Sequence, residues 1–353
     1  MTALLENLGA RVMAVTLKDI SAKTGINTGS VSHVLNNHPK AMELKAETRE
    51  RIRLIAKNLG YFRNEMAHAI ATGRTKIIAF ISADMGTTSY TGKIQEGVFE
   101  EASERGYAVS FYHLSSGNHQ EIMRKINEWR IAGVVFHVAD PGLIAVIGKE
   151  LNRLGLPFGT VNLSSKEQAG IGVTTDDFQG AVDVVKHLAK LGHRRIAHIT
   201  MKEDMEFVAN RRNGYLEGMK LFAGDSKPRI IESVTDNYKD ICQKLLSEQE
   251  GLRPTAVFCG QDTVAMELMR EAIKLNVKIP EELSVVGFGN LDMAEYAAVP
   301  LTTVSQPFKE MGKLTTKTVI GAIENSKSTK RAVNPKLKTK LVVRESTGAL
   351  KKF

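Results

Sequence analysis

Thr28, Gly29, Ser32 and His33 fall on one face of a short stretch whose opposite face is Val31, Val34 and Leu35. Small polar side chains one helical turn apart can hydrogen-bond the edges of base pairs in a major groove. The apolar stripe at i, i+3, i+4 predicts a helix and supplies the face it buries. The residues before it, VTLKDISAKTG, predict a partner helix. Thr16 and Asp19 make a Thr-x-x-Asp capping signature, Leu17 and Ile20 lie one turn apart, and Gly25 centres the turn. Asn27 can cap the second helix. This is the pattern of a helix-turn-helix. Two helices cannot fold alone, and a third follows with Ile52, Ile55 and Leu59 on one face and a stop at Gly60. Asn36, Arg49, Arg51 and Lys57 are candidates for phosphate contacts, which position a protein on a duplex without specifying sequence.

Length and charge agree with a head of this kind on a larger body. The chain has 353 residues and a formal net charge of +9, enough for two further subdomains behind the helical head. Residues 15–75 carry 10 Lys or Arg against 5 Asp or Glu, residues 324–353 carry 9 against 2, and residues 76–323 carry 28 against 31. A basic head suits a polyanion; the basic tail reads as a solvated last strand and a frayed end. Cys242 and Cys259 lack metal-ligand spacing and read as packing residues in a reduced compartment. No apolar run reaches membrane-spanning length, and residues 1–14 lack the features of a signal peptide, so a cytoplasmic protein is expected.

After Gly60, YFRNEMAHAIATGRT predicts one short helix between Asn64 and Gly73. A helix of that length is marginal in water, so it is expected to order only on binding. From Lys76 the pattern changes to apolar strands alternating with helices: IIAFIS, YAVSFYHL, AGVVFHV and PFGTVNL in one series, RIAHIT, residues 229–234, TAVFC and SVVGF in a second. Such alternation predicts α/β layers with parallel sheets covered on both faces, and ligands at the C-terminal ends of the strands.

Taken in order, VTLKDIS, SVSHVLN, AETRERIRLIAKNLGYFRNEMAHAI, LGHRRIAHIT, RRNGYLEGM, ELSVVGFGN and PLTTVSQPFKEMG resemble the lactose-repressor (LacI/GalR) family of transcription regulators, from Val15 to about Thr347. The resemblance implies an N-terminal all-α helix-turn-helix head (15–62) after an extension (1–14), a hinge helix (63–75), a two-lobed periplasmic-binding-protein-like sensor of two doubly wound sheets (76–347) and a tail (348–353). The first lobe would hold residues 76–174 and 305–334, the second 175–304 and 335–347, with the chain crossing between them three times. It further implies a homodimer bound to double-stranded DNA at a pseudo-palindromic operator, a small-molecule effector, a sugar or sugar derivative, and no cofactor, metal or membrane.

Residue by residue, the resemblance makes Thr28, Gly29, Ser32 and His33 readers of base edges. His33 stands where Arg is most frequent. It makes Ile70 the apolar wedge inserted from the minor groove, beside the small Ala67. Lys45, where Ser or Thr is usual, is a poor cap for the third helix, and the turn HPKAMELK is about three residues longer than usual. In the cleft it points to Arg211, with Gln261, Asn162 and Tyr90; Asp262 is expected to cap the helix after it. Gly289 stands where an Asp is common in relatives, with Asn290 as its partial replacement in the effector site, so the site is expected to lack a carboxylate there and to favour an effector with an acidic group or phosphate, or a larger glycoside, over a plain neutral monosaccharide. Enzyme chemistry finds no support: there is no P-loop, Gly170-Ile171-Gly172 is not a dinucleotide fingerprint, and the His residues are scattered. A second reading, a transport receptor with a vestigial head, conflicts with the intact head patterning and the lack of a signal peptide. It predicts no salt-dependent retention on duplex DNA.

Overall fold

The computed structural model describes residues 15–62, 75–84, 89–138, 140–164, 170–202, 205–233, 237–249, 251–325 and 334–350. The chain divides into two units, residues 1–72 and 73–353, each with its own core.

The first unit is built on α1 (Leu17–Thr24), α2 (Thr28–Leu35) and α3 (Ala46–Asn58). Thr16 and Asp19 form the reciprocal capping box, and Asn27 accepts from Ser30 N–H at 2.8 Å. Gly25 ends α1 at φ 69°, a left-handed turn that costs glycine little. Ile20, Val31, Val34, Ala41, Ile52 and Ala56 make the core. Ile55 and Leu59 are only half buried at its edge. Lys45 caps α3 with no side-chain bond. The long turn becomes a 3-10 helix, Pro39–Glu43, that inserts Ala41 into the core.

In the second unit β1 (Ile77–Ser82), β2 (Ala108–His113), β3 (Gly133–His137), β4 (Phe158–Val161), β5 (Ile171–Thr175) and β11 (Lys336–Leu337) form one parallel sheet in the order β11-β5-β4-β3-β1-β2. α4 (Ser89–Glu104), α5 (His119–Glu128), α6 (Pro141–Arg153) and α11 (Phe308–Glu324) cover its two faces. The other sheet takes β6 (Ile196–Met201), β7 (Arg229–Ser233), β8 (Ala256–Cys259), β9 (Ser284–Gly289), β10 (Thr302–Ser305) and β12 (Lys340–Val342) in the order β12-β10-β9-β8-β6-β7. α7 (Asp177–Lys190), α8 (Glu206–Phe222), α9 (Lys239–Leu246) and α10 (Asp262–Lys274) cover it.

The chain passes between the lobes after β5, after β10 and after β11. The structure differs from the sequence reading in three details. Residues 336–337 belong to the first lobe, because β11 pairs with β5 and Thr174 N–H donates to the Pro335 carbonyl. The segment 335–347, expected wholly in the second lobe, therefore gives one short strand to each lobe. β12 runs antiparallel to β10, since no helical crossover precedes it to turn the chain parallel. Neither Ile171–Thr175 nor Thr302–Ser305 was among the expected strands.

Candidate functional site

In the head, α2 turns its half-buried Thr28, Ser32 and His33 and its exposed Gly29 away from the core. Asn36 donates from Nδ2 to Ser32 Oγ at 3.1 Å, so the two act as one polar unit. The His33 ring stacks on His38, with centroids 4.7 Å apart and planes 22° from parallel. Arg51 donates to the Thr24 carbonyl at 3.0 Å and Arg49 lies against the Met42 sulfur. Both guanidiniums thus have intramolecular partners that tie α3 to its neighbours. Lys57 is exposed on α3. Ala67 and Ile70, and nearly all of the hinge 63–75, lie outside the described residues.

In the body, a cavity of about 500 Å³ lies between the lobes. Its walls are strand ends and the turns that follow them. Tyr90 follows β1, Asn162 follows β4, Asn237 to Lys239 follow β7, Gln261 follows β8, Phe288 and Gly289 close β9, and Gln306 follows β10. Tyr90 and Phe308 form an aromatic wall on the first lobe, ring centroids 5.2 Å apart; Phe207 and Phe288 face it from the second.

Arg211 is the node of the cavity. It lies on α8 at 5 % exposure, its guanidinium carbon 3.9 Å from the Phe288 ring centroid. Nη1 donates to the Gly260 carbonyl at 2.6 Å, and Nη2 reaches Asp177 Oδ1 at 3.3 Å and Gln306 Oε1 at 3.2 Å. Among the described residues Nε has no acceptor. Burial raises the Asp177 carboxyl and lowers the Arg211 guanidinium, while the ion pair pulls each back toward its charged form. Gln306 Nε2 also donates to Thr175 Oγ1 at 2.8 Å. Asp177 follows the first crossover and Gln306 follows β10 at the second, so Arg211 ties both to the cavity wall. Outside the crossovers, Lys93 pairs with Asp292, and Ser164 N–H donates to Glu206 Oε2 at 3.0 Å. Each of these contacts joins one lobe to the other.

Three expectations for this region change. Gly289 sits at φ 132°, a conformation that disfavours the aspartate expected from relatives. A Cβ there would lie 3.4 Å from Asp262 Oδ2, so a buried carboxylate already occupies that corner, delivered from α10. The premise of a less negative site therefore fails. Asp262 does not cap α10: the N-cap is Gln261, and the carboxylate instead accepts from Leu291 N–H at 2.7 Å and from Thr303 Oγ1. Burial raises its pKa against those hydrogen bonds. Asn290 is not part of the cavity wall; Arg344 donates to its Oδ1 at 2.9 Å and holds it toward the edge strand. Phe207, Lys239, Gln306 and Phe308 line the cavity without having been assigned a role. Gln306 and Phe308 stand inside PLTTVSQPFKEMG, and Phe207 is one turn before Arg211, which is the signal that could have found them.

Among the described residues no group of three or more His, Cys, Asp or Glu could hold a metal, and no helix is long and apolar enough to cross a membrane. Fold and sites together define a class: a DNA-binding helix-turn-helix protein with a two-lobed ligand-binding body. Residues 16–64 match the model of bacterial regulatory proteins of the lacI family, and residues 185–347 match that of the periplasmic binding protein-like domain. The chain thus carries a lacI-family helix-turn-helix domain and a periplasmic-binding-protein-like domain. It is 27% identical over 96% of its length to the HTH-type transcriptional regulator DegA of Bacillus subtilis (strain 168), covering 99% of that protein. It is 28% identical over 85% of its length to the HTH-type transcriptional repressor CytR of Escherichia coli (strain K12), covering 87% of it. A solved complex of the transcriptional regulator CelR with cellobiose superposes with a TM-score of 0.66 at 25% identity, covering 94% of this chain and 99% of that one.

Proposed function

We propose that this chain is a cytoplasmic, homodimeric transcriptional repressor that reads a pseudo-palindromic operator through Thr28, Gly29, Ser32 and His33, and whose operator affinity is set by a sugar or sugar derivative in the inter-lobe cavity. Two identical heads related by a two-fold axis place one recognition helix in each of two successive major grooves. The kinship with CytR supports repression, and the cellobiose bound to CelR supports a sugar ligand. Aromatic walls with Asn162, Asn237, Gln261 and Gln306 among them suit a polyhydroxylated ring: flat faces for its C–H surface, amides for its hydroxyls.

The observation that carries the ligand-response reading is the position of Arg211. Its Nε has no acceptor among the described residues, while its other donors hold Asp177 and Gln306 at two crossovers. A ligand oxygen that accepts from Nε satisfies a buried donor and acts on the segments about which the lobes turn. A thermal-shift panel of cellobiose, ribose, sugar phosphates and nucleosides tests it, because a ligand of the native state alone raises the melting temperature. At least one sugar is expected to raise it, and to raise it less in Gln261→Ala and Phe207→Ala; that sugar should also shift operator affinity. A panel with no shift, or a shift equal in both variants, contradicts the assignment of the cavity.

A further inference from the structure

Histidine at position 33 poses a physical problem. Arginine orients itself on guanine through two parallel hydrogen bonds, whereas an imidazole offers one edge and rotates about two side-chain bonds. A helix-borne imidazole specifies a base only if something fixes its plane. The head contains such a device. His38, three residues beyond α2, stacks on His33 at 4.7 Å and 22°. Its own place is set from several directions. Its N–H donates to the His33 carbonyl at 2.9 Å. Its Nδ1 accepts from Lys40 N–H at 3.2 Å, capping the 3-10 helix, and that helix is anchored by buried Ala41. Asn37, just before it, sits at φ 50° with its Oδ1 accepting from Arg53 of α3 at 3.2 Å.

We propose that His38 is a specificity-determining positioning residue: its ring clamps the His33 imidazole in the plane that reads the base, so that the turn after the recognition helix takes part in operator selection. The inference rests on the reading of His33 as a base contact.

Cap and stack reside in different atoms of His38, so two substitutions separate them. His38→Asn keeps a side-chain acceptor for Lys40 N–H and removes the ring. His38→Phe keeps a ring to stack and removes the acceptor. Operators selected in vitro from random duplexes by the full-length wild type, His33→Ala, His38→Asn and His38→Phe are compared position by position, with circular dichroism melts of each. His33→Ala is expected to lose preference at one symmetric pair of positions. His38→Asn should weaken preference at that same pair about fivefold or more, while His38→Phe retains most of it even if its melting temperature falls. If His38→Asn keeps the wild-type preference, or His38→Phe loses it as His38→Asn does, the clamp is overturned and His38 is only a cap. If His33→Ala itself leaves the selected site unchanged, the reading of His33 falls first and the clamp with it.

Discussion

Arg211 behaves as part of the framework as well as a ligand donor. Removing it leaves Asp177 buried without its counter-charge, which costs about 3–5 kcal/mol in comparable pairs. Arg211→Ala is therefore expected to lower the urea midpoint strongly, and Arg211→Ala with Asp177→Asn to recover much of the loss. An Arg211→Ala variant as stable as the wild type would show that the pair does not support the fold. His198 supplies a pH test. It is fully buried, stacked on Phe258, with its pKa lowered to about 4 by burial. The unfolded chain binds a proton here near the ordinary histidine value of about 6.5, well before the folded one does. Stability from this group is thus present above that value and lost as pH falls toward 4, at up to about 1.4 kcal/mol per pH unit. His198→Phe, which keeps the stack, should reduce the slope of stability against pH between about 6.5 and 4, to which His137, His187 and His193, also lowered by burial, contribute the rest; an unchanged slope contradicts this. At this scale the sequence was legible for placement where a motif carried the residue: Arg211 lines the cavity and His33 lies on the outer face of α2. It was silent where a side chain's task depends on a turn's path: the His33–His38 stack and the Asp262 bridge to Thr303 join residues that no periodicity relates.

Helix pairing on the sheets depends on glycines that let backbones touch. A Cβ at Gly97 of α4 would overlap the Lys309 carbonyl, and one at Gly312 of α11 the Ile94 carbonyl. Gly312→Ala should cost about 1–3 kcal/mol by forcing the helices apart. Gly92→Ala, on the same α4 with open space around it, should be neutral or stabilising by up to about 1 kcal/mol. Equal effects of the two would show that close approach is not the cause. The Lys93–Asp292 pair joins the lobes with side chains 38% and 61% exposed, so Asp292→Ala should change stability by less than about 1 kcal/mol. It should nonetheless raise the radius of gyration of ligand-free protein in X-ray scattering if the pair holds the lobes together; an unchanged radius contradicts that role. Most elements were legible because buried parallel strands are continuous apolar runs and caps mark the helices. β5, β10, β11 and β12 were not read correctly. They are five, four, two and three residues long, rich in Gly, Thr or Lys, and are specified by their neighbours in the sheet rather than by their own composition.

On the scale of the whole molecule, charge and function divide along the chain. The basic head carries the polyanion-binding surface, and residues 76–323, with a slight excess of acid over base, carry the cavity. Neutralising phosphates releases counterions, so DNA affinity should fall steeply and linearly in log–log form as salt rises. Lys57→Ala should reduce that slope by about 1 without changing which sequence is preferred; an altered preference would move Lys57 from the backbone to the bases. The central claim, sequence-specific DNA binding by a dimer, is tested most directly by selecting duplexes from a random pool with full-length protein. Fluorescence anisotropy then measures its affinity for the winning duplex and for a scrambled one at the same salt concentration. The account predicts an enriched pseudo-palindrome bound about a thousandfold or more tighter than its scramble. A pool without an enriched palindrome, or equal affinity for both duplexes, would contradict it.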